Sequence, residues 1–246
     1  GCNDFLNKPV DALELVARTR SLMQLKLLTD QLESAETVLR TLARTLEAKD
    51  SYTQGHSERV ADYTARLAAA IGLSVEDQNR LRRAGLLHDI GKSAVRDSVL
   101  HKPGALTDEE FEHIKIHPVV GERILQDLKS AQPYLSTVRH HHERTDGTGY
   151  PDGLRGEAIP LDASLMAIAD AYDAMTSHRP YRAAMPQEEA LAILAENRGP
   201  QWDPEFVKAF VAMIRNAPRA SEADGPATSS PPTSEREFPA PHRPEP

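Results

Sequence analysis

The stretch Ala84-Gly85-Leu86-Leu87-His88-Asp89-Ile90-Gly91-Lys92 decides how this chain is read. Leu86, Leu87 and Ile90 flank an adjacent His and Asp, which places the pair inside the protein at the end of an apolar helix. An ionised carboxylate buried without a partner is costly, so Asp89 needs a cation or hydrogen-bond donors close by. Local backbone at the helix end would meet that need. The other histidines point to a second answer. His56 stands at a helix start in Tyr52-Thr53-Gln54-Gly55-His56-Ser57-Glu58-Arg59, and His117 precedes Pro118 at another. His140, His141 and His142 are consecutive, so they cannot all face one site. Asp170 and Asp173 lie three apart on one face of the apolar segment 161–177. Each of these residues alone has an ordinary role as a cap or a solvated side chain. Together they offer imidazole and carboxylate ligands from separate helices, which is how helical bundles build metal centres.

Working outward, helical patterns dominate. Segments 57–71, 76–90, 107–116, 118–129, 133–142, 161–177, 186–197 and 203–215 all read as helices, the third behind a Thr107-x-x-Glu110 capping box. Strand signals are nearly absent, and 5% aromatic content agrees with that. The fold class is therefore all-α. Residues 143–160 carry Gly147, Gly149, Gly153, Gly156, Pro151 and Pro160 and read as an ordered loop. From 13 to 48 there is no Gly or Pro, and Leu25, Leu28, Leu32, Ala35, Leu39, Leu42 and Leu46 alternate spacings of three and four. That heptad seam predicts a long helix, either packed on its own domain or, as the strict period favours, paired in a parallel coiled-coil homodimer through 25–46. The division is then 1–12, a long helix at 13–48, a main domain at 49–216, and a Pro/Ser-rich tail at 217–246 expected to be disordered.

Composition removes several classes. A net charge of −8 argues against a general nucleic-acid binder. Cys2 is the sole cysteine, which excludes a disulfide framework and a thiolate zinc site and fits a cytoplasmic location. No apolar run has the ~18 residues of a membrane span. Mixed His/Asp ligation without thiolate suits Fe, Mn or other octahedral divalent metals.

His88-Asp89-Ile90-Gly91-Lys92 resembles the HD motif of the HD phosphohydrolase superfamily. His141-His142-Glu143-Arg144-Thr145-Asp146-Gly147-Thr148-Gly149-Tyr150-Pro151 resembles the signature of its HD-GYP subfamily, and the likeness covers about 40–215. The resemblance implies an HD-superfamily helical bundle and a phosphodiesterase that hydrolyses cyclic di-GMP to the linear dinucleotide or to GMP, with two Fe or Mn ions. It assigns His56, His88, Asp89 and Asp170 to one metal and His117, His141 and His142, with Asp89 as bridge, to the other. It makes Asp89 and Lys92 the catalytic pair and Tyr150, Asp173, Arg179 and Arg182 the contacts to substrate. Tyr52 occupies the position where some members have a Glu for a third metal, so two metals are expected. His101, His113, His140, His178 and His242 receive no role. Alternatives are another cyclic dinucleotide or phosphoester as substrate, or a catalytically silent binding module. Asp4-Phe5-Leu6-Asn7-Lys8-Pro9 ahead of a Leu-rich helix resembles the end of a response-regulator receiver domain, which implies an upstream sensor kinase as partner.

Overall fold

A computed structural model describes residues 12–49, 55–102, 104–178 and 183–217. The segments 1–11, 50–54, 179–182 and 218–246 and residue 103 lie outside it, and with them the receiver-like stretch, Tyr52, Arg179, Arg182 and most of the tail. Among the described residues there are ten α-helices and no strand. They are α1 (Ala12–Lys49), α2 (His56–Ala70), α3 (Val75–Leu87), α4 (Asp97–Leu100), α5 (Asp108–Ile114), α6 (His117–Leu125), α7 (Leu135–His140), α8 (Leu161–Thr176), α9 (Gln187–Glu196) and α10 (Pro204–Arg215).

The centre of the bundle is α2, α3 and α8. Val60, Ala61, Thr64, Leu67 and Ala68 of α2 recur at helical spacing and are buried. Leu81, Ala84 and Leu87 of α3 and Leu165, Met166, Ile168 and Ala169 of α8 meet them. Fully burying a Leu, Ile or Met side chain is worth roughly 1.5–3 kcal/mol, so this layer carries much of the folding drive. Phe210 of α10 closes one end beside Tyr63 and Tyr172, with ring centroids 5.1–6.1 Å apart. Thr107 and Glu110 form the anticipated capping box on α5, and Ser74 and Asp77 form a second one on α3.

The ends of some helices differ from the sequence reading. α3 stops at Leu87 instead of 90, and His88 and Asp89 occupy a turn that leads into a short 3-10 segment, Ile90–Ala94. Gly91 explains the turn: a Cβ there would lie 1.9 Å from the carbonyl oxygen of His117 and 2.6 Å from the nitrogen of Gly121. The backbone after Asp89 is therefore pressed onto the first turns of α6. The single-turn helix α4 is too short to show a period. α6 ends at Leu125 because Lys129–Tyr134 form another 3-10 segment, which also shortens α7.

α1 spans 38 residues, about 57 Å at 1.5 Å per residue. Its C-terminal part packs against α2, α3 and the 3-10 segment, with Ala43 buried. Of the heptad seam, Leu25 and Leu42 are exposed, and the side chains of Leu28, Leu32, Ala35, Leu39 and Leu46 lie outside the described residues. No described helix is long and apolar enough to cross a membrane.

Gly91→Ala should lower stability by about 1–3 kcal/mol, the usual cost of forcing extra atoms into a packed site. The clash is with backbone, which cannot swing aside. A urea midpoint equal to that of the unmodified chain would contradict this packing.

Candidate metal centre

Five elements bring the ligand candidates together. His56 opens α2, His88 and Asp89 sit in the turn after α3, His117 opens α6, His141 and His142 follow α7, and Asp170 lies in the middle of α8. Donor atoms fall into two groups, each drawn together within 4.8 Å: His56, His88 and Asp170, and Asp89, His117, His141 and His142. Asp89 faces both. Its Oδ1 is 3.3 Å from His117 Nε2, and its Oδ2 is 3.4 Å from His88 Nε2 and 3.9 Å from His56 Nε2. Asp170 Oδ1 lies 3.3 Å from His56 Nε2.

The rings are oriented by their far nitrogens. His88 Nδ1 donates to the carbonyl of Gly85 at 2.7 Å, His117 Nδ1 to Ile114 at 2.8 Å and His141 Nδ1 to Val138 at 2.7 Å. Each acceptor is three residues back, where a helix end leaves carbonyls without an intrahelical partner. His56 Nδ1 donates instead to Asp173 Oδ2 at 2.8 Å. With Nδ1 committed on these four rings, their Nε2 atoms are turned toward the ligand groups, the outer-shell arrangement that supports histidine ligands. His88 Nε2 is buried and has no hydrogen-bond partner. Buried polar atoms are rarely left so, and a cation is the partner a bare imidazole nitrogen accepts. The residues present therefore fit divalent metal ions.

Electrostatics agree. Burial opposes ionisation of Asp89, yet Lys92 and the surrounding imidazoles hold its carboxyl well below the usual range. Asp170 is also held down against burial, chiefly by its hydrogen bond to His56. Burial would depress His56, but hydrogen bonds to Asp170 and Asp173 outweigh it and hold it up at about 9. Burial pushes His117 down to about 3 and takes His141 and His142 down with it. The second group is thus a set of neutral imidazoles facing an ionised carboxylate, ready for a cation.

The glycine-rich loop closes one side. Buried Glu143 accepts from the backbone nitrogens of Asp152 at 2.8 Å and Leu154 at 3.0 Å. Tyr150 N donates to the carbonyl of His142 at 3.2 Å. Gly149 leaves no room for a side chain, since a Cβ would sit 2.4 Å from Arg144 N. The fold of the loop sets the Tyr150 ring 4.8 Å from that of His142. Burial, Asp170 and Asp89 push the Tyr150 hydroxyl up, so it stays a proton donor.

A family model described as "HD domain" matches residues 40–206, well over half of the chain. The chain belongs to the HD-domain family. It is 39% identical over 232 residues to "Cyclic di-GMP phosphodiesterase response regulator RpfG" of Xanthomonas campestris pv. campestris, covering 86% of this chain and 61% of that protein. It is 42% identical over 183 residues to "3'3'-cGAMP-specific phosphodiesterase 3" of Vibrio cholerae, covering 74% of this chain and 40% of that one. The chain thus spans about half the length of these relatives. Among solved structures, Bd1817, a HDG"Y"P protein from Bdellovibrio bacteriovorus, shares the fold with a TM-score of 0.54 and 24% identity, over 65% of this chain and 51% of that one.

Within this HD domain the seven proposed ligands converge, and Lys92 Nζ lies 2.7 Å from Asp89 Oδ2. Asp173, which the resemblance made a substrate contact, is 1% exposed, and both of its oxygens accept hydrogen bonds. Arg59 Nε donates to Oδ1 at 2.6 Å, and His56 Nδ1, Arg59 and Ser177 Oγ reach Oδ2 at 2.8, 3.0 and 3.1 Å. Three positions after Asp170, it lies one helical turn further along α8 and meets the back of the His56 ring instead of the cavity. His140 is held by Asp152 at 2.9 Å, away from the ligands. His178 is exposed. Arg59, Glu143 and the supporting carbonyls escaped the sequence reading, because nothing in a sequence marks which distant carboxylate an arginine or amide will meet.

Asp173→Ala should weaken metal binding at the His56 group by about 10–100-fold, the usual cost of losing an outer-shell partner. Asp173→Asn should do less harm, since its side-chain oxygen still accepts from His56. Equal affinity in all three proteins, read by metal titration, would contradict this role.

Proposed function

We propose that this chain is a metal-dependent phosphodiesterase of the HD-GYP type that hydrolyses cyclic di-GMP, and that it binds two Fe or Mn ions. The observation that carries the reading is the pair of His/Asp groups sharing Asp89 beside the Gly-Tyr-Pro loop. His56, His88, Asp89 and Asp170 would hold one ion, and Asp89, His117, His141 and His142 the other. Paired divalent ions supply a nucleophile from water at neutral pH and neutralise charge on the phosphoryl oxygens. The absence of thiolate ligands favours Fe or Mn.

The chain's own side chains do the rest. Asp89 is kept ionised and spans the two groups. Lys92 Nζ carries positive charge at the mouth of the centre, where charge grows on the phosphate, and holds a proton for the departing ribose oxygen. The Tyr150 hydroxyl donates to substrate, while Arg179 and Arg182 provide planar donors suited to phosphate or a guanine edge. The reaction adds water across one P–O bond and leaves a phosphomonoester and a free hydroxyl.

Two related substrates compete. The relative named for cyclic di-GMP is 39% identical, and the one named for 3'3'-cGAMP is 42% identical. The first match reaches over 86% of this chain, and its name supports the further reading that the chain is the output part of a cytoplasmic response regulator addressed by a sensor kinase. A parallel homodimer through 25–46 goes with it. Leu25 and Leu42, 62% and 46% exposed, present the seam to a second copy.

Two measurements test this. Turnover of cyclic di-GMP, 3'3'-cGAMP and cyclic di-AMP by the metal-loaded chain should be highest for cyclic di-GMP. Lys92→Ala should cut that rate about 10²–10³-fold with metal content intact. Preference for 3'3'-cGAMP would overturn the substrate, and no turnover of any would overturn the enzyme. Light scattering should report a dimer that Leu25→Asp with Leu42→Asp dissociates, because carboxylates resist burial at a seam. A monomer of the unmodified chain at micromolar concentration would contradict the coiled coil.

A further inference from the structure

The first turn of α2 has a capping problem. His56 is its first residue, and Gly55 at the N-cap sits in the left-handed region at φ 71° with no side chain to receive the free amides. Such amides need acceptors. The acceptor comes from another helix. Glu47, in the last turn of α1, takes the backbone N–H of Gly55 on Oε2 at 2.9 Å and that of Ser57 on Oε1 at 2.7 Å. One carboxylate therefore grips the chain on both sides of His56, and its negative charge complements the positive end of the α2 dipole. An ion pair between Arg44 and Glu58 at 3.1 Å lies beside it on the surface, and Ala43 is buried one turn back.

His56 is thus fixed at three points. Asp173 holds its Nδ1, Glu47 holds its backbone through the flanking amides, and its Nε2 faces Asp170 and Asp89. α1 also packs on α3 and on the 3-10 segment Ile90–Ala94, and Glu47 is where it bonds the backbone amides on either side of His56. We propose that Glu47 is a positioning residue for the metal centre, and that it couples the position of α1 to the placement of the His56 imidazole. A shift of α1 along or about its axis moves the carboxylate and, through two charge-assisted hydrogen bonds, the first turn of α2. The inference rests on His56 being a metal ligand.

Manganese titration of the full chain tests it without reference to turnover. Glu47→Ala should bind Mn(II) about tenfold more weakly at one of the two sites, the low end of the range for supporting residues. Glu47→Gln keeps one accepting oxygen at full reach but sets its NH2 against the second amide, so it should recover part of the affinity. Glu47→Asp is one methylene short of spanning both amides and should recover less. Arg44→Ala removes the neighbouring surface pair and should leave affinity unchanged, which separates the grip on His56 from general attachment of α1. If Glu47→Ala fails to fold, as circular dichroism would show, the ranking of Gln above Asp carries the test. Tight Mn(II) binding by folded Glu47→Ala or Glu47→Asp, with binding impaired in His56→Ala, would overturn the positioning role alone. Unimpaired binding in His56→Ala would overturn the ligand assignment and the positioning role together.

Discussion

Holding the half-buried Asp89 and Asp170 among imidazoles, inside a bundle of aliphatic helices, is the constraint on which the structure turns. Two carboxylates in such a place are unfavourable unless positive charge meets them. Lys92 reaches one oxygen of Asp89 at 2.7 Å, and the other oxygen looks toward His117. His56, held up at about 9, meets Asp170, whereas the rings of His117, His141 and His142 beside Asp89 are held neutral by burial and add no charge there. The site is built to be completed by cations, and the surrounding scaffold keeps its Nε2 atoms aimed at a common centre.

That scaffold is economical. His88, His117 and His141 each bond a carbonyl three residues earlier, at the end or entrance of a helix. Helix termini thus do double work: they leave carbonyls to accept Nδ1–H, and they aim a ring out of the helix toward the other ligand candidates. His56 has no such carbonyl, and its support comes from further away in the chain, from Asp173 on α8 and Glu47 on α1. Three ligands are held locally and one by long-range contacts. The long-range one is where the long helix gains access to the site.

Much of this was written in the sequence, and the reason differs by element. The His88-Asp89 pair stood out because polar residues between Leu87 and Ile90 must be paired. The capping box at Thr107 and the apolar period of α8 obey local rules, so those helices could be read. The end of α3 could not, because what stops it is the carbonyl of His117 pressing on Gly91, a contact across 26 residues of chain. That Asp173 bonds His56 and Arg59 was not legible, since face alone does not say which ring a carboxylate will meet one turn along. Glu47 fell among the polar positions beside a leucine seam and looked like an ordinary surface residue. Its partners are backbone amides, which carry no sequence signature.

The central claim is that Asp89 is shared by two metal ions. Elemental analysis of the purified chain beside Asp89→Ala tests it most directly, with melting curves to establish that both are folded. Two divalent ions per unmodified chain and one or none in the variant is the result this account predicts. Two ions retained in folded Asp89→Ala would contradict it.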